Sequence, residues 1–143
     1  MSEGSNEALS AALAAEHAAI FAYGPVGVRL TRAAAAAARA AESAHRSRRD
    51  NLVVVLVGLG VTPPPAAPSY ALPEPVTDAA AAMRVATTVE ERTAAVWRAV
   101  LPVTTGRERL DALTALTDCA VRATRWRELD RVEPVTVPFP GRT

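Results

Sequence analysis

The stretch RAAESAHRSRRD, residues 39–50, decides the reading of this chain. In it Glu42 and His45 stand three residues apart inside a helical segment, so a carboxylate and an imidazole share one helix face. Downstream, Arg49, Leu52, Leu56 and Leu59 continue that face, and the helix stops at Gly58 to Gly60. Upstream, no strong turn signal separates this helix from the one before it, and the turn is placed near Thr31 to Ala35.

The preceding helix begins after a polar lead-in, residues 1–6, with Ser5 or Asn6 as its cap. From Glu7 on, Leu9, Leu13, Ile20, Tyr23, Gly27 and Leu30 follow steps of three and four, one face of a helix. Glu16 falls within that stripe, where a plain core places an apolar residue. Gly24-Pro25 predicts a kink, since the stripe continues to Leu30.

After the second helix comes VTPPPAAPSYALPEPV, with six prolines between Pro63 and Pro75. Proline this dense excludes helix and favours an extended path. About fourteen residues at ~3.1 Å each reach roughly 40 Å, the length of a helix of about 26 residues. A proline-rich crossover over 62–75 can therefore run the length of a bundle and leave helices two and three parallel.

Helix three starts at Thr77 or Asp78 and carries Ala79, Met83, Ala86, Glu90, Thr93, Trp97 and Val100 on one face, ending near Leu101-Pro102. Glu90 again interrupts an apolar stripe. Thr105-x-x-Glu108 is a capping-box pattern for helix four. That helix carries Leu110, Leu113, Thr117, Ala120 or Val121, and Thr124, and ends near Arg131. The tail, residues 134–143, has no helical period, and Val135, Val137 and Phe139 are expected to hold it against the bundle. One domain spans 1–143.

Composition bounds the function. Half the residues are apolar but only 4% are aromatic, with alanine dominant, which favours closely packed helices. The net charge of +1 gives no strong pull toward nucleic acid or membrane. Arg46, Arg48 and Arg49 read as a solvated face with one inward arginine rather than a nucleic-acid patch. Leu52 to Val61 is too short to span a bilayer, and the first fifteen residues, with Glu3 and Glu7, no Lys or Arg and no long apolar core, do not read as a signal peptide. Cys119 is the only cysteine, so no intrachain disulfide forms, and a cytoplasmic setting is expected.

Axial counting brings the polar intruders together. At 1.5 Å per residue, Glu16 lies roughly 22 Å below the turn joining helices one and two, and Glu42 and His45 lie ~16 and ~21 Å below it. If the crossover returns to the same end, Glu90 lies ~20 Å down. On helix four the same level holds Asp118 to Arg122, with valine where a second Glu-x-x-His motif would place its histidine. Di-iron four-helix bundles use two such motifs. One half-site is present.

The passages AAEHAAIFAYG, ESAHRSRRD, PSYALPEPV and PFPG, in that order, resemble a bacterial ferritin-like domain family of unknown function. The resemblance implies a ferritin-like four-helix bundle and brings no activity, substrate or cofactor. Of the ligands such relatives use, Glu16, Glu42, His45 and Glu90 carry over.

The expectation is an all-α, ferritin-like bundle with a degenerate di-iron site, non-enzymatic, serving as a structural or interaction module for a protein partner or a second copy. Glu16, Glu42, His45 and Glu90 form its buried cluster, compensated by Arg49 or Arg122, with no metal or other cofactor. The alternative is an oxidoreductase-like metalloprotein holding one iron or manganese on the same four residues. A third reading is a small-ligand carrier using space between the helices. Cys119, Tyr23 and Trp97 read as core, and His17 as a surface or interface residue.

Overall fold

The computed structural model describes residues 1–142 and contains four long helices, with no strand among the described residues. They are α1 (Glu3–Gly27), α2 (Arg32–Gly58), α3 (Ala79–Val100) and α4 (Gly106–Asp130), with a 3-10 turn at Leu101–Val103. No helix is long and apolar enough to cross a membrane among the described residues.

Helix α1 begins earlier than the polar lead-in suggests. Ser2, not Ser5 or Asn6, is its cap: the Ser2 hydroxyl accepts from the Ser5 N–H, and the buried Ser5 hydroxyl donates to the Ser2 carbonyl at 2.7 Å. The helix passes through Pro25 and ends at Gly27 rather than Leu30. The turn falls at residues 28–31, just ahead of the expected Thr31 to Ala35, because the run of alanines from Ala33 already favours helix.

Asp78 caps α3, accepting from the Ala81 N–H at 2.8 Å. Thr105 has the extended backbone of a cap residue before α4, but its side chain makes no capping bond, so the expected capping box does not close. Asp78→Ala should therefore lower stability by about 1 kcal/mol, and Thr105→Ala by a few tenths at most. Chemical denaturation of the two variants checks the contrast.

The core divides into two apolar clusters. One joins the start of α1 (Leu9, Leu13), the end of α2 (Leu52, Leu56), the end of α3 (Trp97, Val100) and the first half of α4 (Ala112, Leu116, Cys119). The other joins the end of α1 (Tyr23, Val26), the starts of α2 (Ala38, Ala41) and α3 (Ala82, Val85), and Trp126 near the end of α4. Helices α2 and α3 thus run in the same direction, with α1 and α4 opposed to them. The intervening segment, 59–78, carries no helix or strand. It lies along α1 and α3: the Pro64 carbonyl meets His17 Nε2 at 3.1 Å, Tyr70 packs on Phe21, and Leu72 and Val76 lean on the second cluster.

Helix α4 is turned relative to its expected face. It buries Ala112, Ala115, Leu116, Cys119, Ala123 and Trp126, whereas Leu110, Leu113 and Val121 face outward. Alanine lets α4 approach α3 closely, and a face chosen by its larger apolar side chains is the wrong one. The α4 contacts are mainly with α3 and few with α2, so the α2–α4 seam stays open.

The tail lies on α3 and α4, but not through the burial expected of its apolar side chains. Val137 and Phe139 remain exposed. The segment is held by its backbone: Arg127 Nη1 donates to the Val135 carbonyl at 3.2 Å and Arg98 Nη1 to the Pro140 carbonyl at 3.0 Å. Gly141, at φ +76°, lies so near α3 that a Cβ would sit 2.7 Å from the Ala94 carbonyl oxygen.

Candidate functional site

Between the two apolar clusters lies a polar layer built from all four helices. Glu16, His45 and Glu90 are fully buried there. His45 Nδ1 is 2.5 Å from Glu16 Oε2, and its Nε2 is 2.9 Å from Glu90 Oε1. An imidazole facing a carboxylate at each nitrogen is satisfied only when both nitrogens donate, which makes it an imidazolium.

The pKa directions agree with this geometry. Burial alone pushes His45 down, but the bonds to Glu16 and Glu90 outweigh it and raise the group from 6.5 to about 9. Burial pushes Glu16 up, yet His45, Arg48 and the Trp97 N–H overcome it and hold the carboxyl below its ordinary value.

The compensating guanidinium belongs to Arg48. Its Nε donates to Glu16 Oε1 at 2.9 Å and its Nη1 to Asp118 Oδ2 at 2.7 Å, while its Nη2 lies 3.0 Å from His45 Nδ1 and 3.7 Å from Cys119 Sγ. The His45 imidazolium and the Arg48 guanidinium balance Glu16 and Glu90, which leaves Asp118 to a third cation. Arg122 then closes on Asp118 at 2.9 Å from the outer side.

Three of the expected residues do not join the cluster. Glu42 turns outward to Arg46 at 2.7 Å, Arg49 pairs with its neighbour Asp50 at 2.8 Å, and Arg122 stops at Asp118. The helix wheel gives the reason. With 3.6 residues per turn, Arg48 lies about 60° to one side of His45, and Arg49 and Glu42 lie about 40° and 60° to the other. Arg48 occupies the side facing the open α2–α4 seam, where a long stem reaches the layer.

Aromatic groups complete the network. Trp97 Nε1 donates to Glu16 Oε1 at 2.7 Å, the Tyr23 hydroxyl to Glu90 Oε1 at 2.6 Å, and Trp126 Nε1 to the Tyr23 oxygen at 2.9 Å. Tyr23 and Trp97 are core residues, but their polar atoms serve the charged layer. Burial, and next the Glu90 charge, raise the Tyr23 phenol well above its ordinary range; burial does the same to the Cys119 thiol. Both stay protonated and unreactive near neutral pH. No single helix pattern signals these bonds, since each joins residues at least 67 positions apart.

These residues do not fit a two-metal carboxylate centre. Glu16 has its oxygens bonded to His45, Arg48 and Trp97, and both His45 nitrogens are already engaged, Nε2 by Glu90 and Nδ1 by Glu16 with Arg48 Nη2 beside it. Val121, where the second histidine is needed, faces outward. Among the described residues, no group of three or more His, Cys, Asp and Glu side chains is arranged to hold a metal ion. One buried oxygen, Glu90 Oε2, has no partner.

The family model described as "Domain of unknown function (DUF4439)" matches residues 8–143. The chain is similar to a conserved hypothetical protein, rv2844, from Mycobacterium tuberculosis, with 42% identity and a TM-score of 0.87. The match covers 90% of this chain and 98% of that one. It is also similar to ferritin like, diiron-carboxylate proteins from Bacillus anthracis str. Ames, with 19% identity, a TM-score of 0.68, and 92% and 98% of the two chains covered. At that identity the second likeness shows the fold, which is ferritin-like. No curated protein matches the chain.

Proposed function

The chain belongs to the DUF4439 family, and from that premise we propose that it is a non-enzymatic ferritin-like module in which His45 and Arg48 supply the positive charge that metal ions supply elsewhere in this fold. The observation that carries the proposal is the double bridge of His45 to Glu16 and Glu90, with Arg48 closing on Glu16. Such a centre fixes the register of four helices. Its buried imidazolium has no free face from which to exchange a proton with a substrate. An interaction role, with a protein partner or a second copy, is supported by Leu110 and Leu113 pointing outward from α4. A single cysteine, Cys119, buried and with no second cysteine to pair with, is consistent with a cytoplasmic setting.

Protein purified without chelator, analysed for metals and then titrated with Fe(II) and Mn(II), tests the reading. Substoichiometric metal and an unchanged melting temperature are expected. The competing reading is one iron or manganese held by Glu16, His45 and Glu90, and the unpartnered Glu90 Oε2 favours it. One metal per chain, abolished by Glu16→Ala and by His45→Ala, would establish that reading instead.

A further inference from the structure

The tail builds a second feature, remote from the charged layer. Arg131, in the left-handed conformation at φ 56°, ends α4 and turns the chain back over the α3–α4 surface. The returning segment is fixed at both ends, by Arg127 at Val135 and by Arg98 and the close approach of Gly141 at Pro140. Between the anchors it stands off the helices. A groove of about 570 Å³ remains, walled by α3 and α4 on one side and by the tail on the other. Its volume is that of a small-molecule site, and such sites are mainly apolar with a few placed polar groups.

The lining has that character. Leu116, Ala120 and Val121 of α4 face Val137, Phe139 and Pro140 of the tail. Phe139 is 63% exposed and Val121 61%, an arrangement that leaves apolar surface in water on both walls. The charged residues in the lining are Glu91, Arg98 and Arg127, one negative and two positive. Arg127 is committed, since it bonds to Glu91 as well as to Val135. Arg98 makes no ion pair among the described residues and uses only Nη1, so the rest of its guanidinium is open to an anion.

We propose that this groove binds an amphipathic monoanion of the fatty-acid or aryl-carboxylate class. The apolar body lies between Val121 and Phe139, and the carboxylate meets Arg98. The surplus positive charge, from Arg98 in the lining and from Arg142, whose guanidinium stands 5.6 Å over the Phe139 ring, selects an anion over a neutral or cationic amphiphile of equal length.

The test is calorimetric titration of the full chain with decanoate below its micelle concentration, beside decanol and decylamine, with sedimentation at the same protein concentrations. Decanoate should saturate one site per chain, about tenfold more tightly than decanol, as expected when one charged hydrogen bond is added. Arg98→Met should remove most of that preference while leaving decanol binding, and Arg98→Lys should restore part of it. Phe139→Ser should weaken decanoate and decanol alike. Absence of saturable binding, or a preference unchanged in Arg98→Met, would overturn the proposal. So would a chain that sediments as a dimer, becomes monomeric on Phe139→Ser and excludes decanoate; the occupant is then a second copy. None of these outcomes depends on the metal titration.

Discussion

Arg48→Met should destabilise the protein by about 3–5 kcal/mol, because it leaves Glu16 buried with one positive partner where the native layer supplies two. For a chain of this length that corresponds to a fall in melting temperature of roughly 10 °C or more. Arg49→Met should change stability by less than about 1 kcal/mol, since its partner Asp50 is solvated. Arg122→Met should lie between them: it loses Asp118, a carboxylate that Arg48 still holds. The double variant Arg48→Met with Glu16→Gln should cost less than the sum of the two singles, because the charge left unpaired in one is absent in the other. Thermal and urea unfolding of the five variants beside the wild type decides the matter. Equal effects of Arg48→Met and Arg49→Met would remove Arg48 from its place in the core.

Raising the pH should unfold the charged layer well before ordinary basic groups titrate. His45 is raised from 6.5 to about 9 by its two carboxylate partners, so it binds its proton more tightly folded than unfolded. Its contribution is complete below about pH 6.5 and is lost as pH rises through about 9. The whole interval is worth about 3 kcal/mol. Glu16 works in the opposite sense: held below its ordinary value of 4.5, it contributes above that pH and loses its contribution in acid. Cys119 and Tyr23, both raised, add to the alkaline loss only from their ordinary values of 9.0 and 10.0 upward. Stability measured from pH 5 to 9 should therefore plateau and then decline. His45→Gln should be less stable at pH 6 and nearly flat across the same range. An undiminished alkaline decline in His45→Gln would assign it to other groups.

Much of this was legible in the sequence. Alanine-rich stripes at helical spacing gave four helices, and Glu16, His45 and Glu90 stood out as polar residues where apolar ones belong. Axial counting brought those three to one level because rise per residue is a local property. Which residues accompany them is not local. Arg48 and Arg49 flank His45 on opposite sides of one helix. Only the open seam beside α4 makes Arg48 the partner of Glu16 and sends Arg49 to the surface. Glu42 satisfies the Glu-x-x-His spacing yet turns to Arg46, because its side of α2 is not the side that Glu16 and Glu90 reach. The face of α4 was misread for a related reason: alanine carries little hydrophobic signal, and close packing on α3 chose Ala112, Ala115 and Ala123 over Leu110 and Leu113. The sequence by itself determined the helices and the level of the charged layer, through periodicity and rise. Tertiary structure alone decided which cation neutralises it and where the tail leaves a groove, because both depend on what a neighbouring helix presents across a gap.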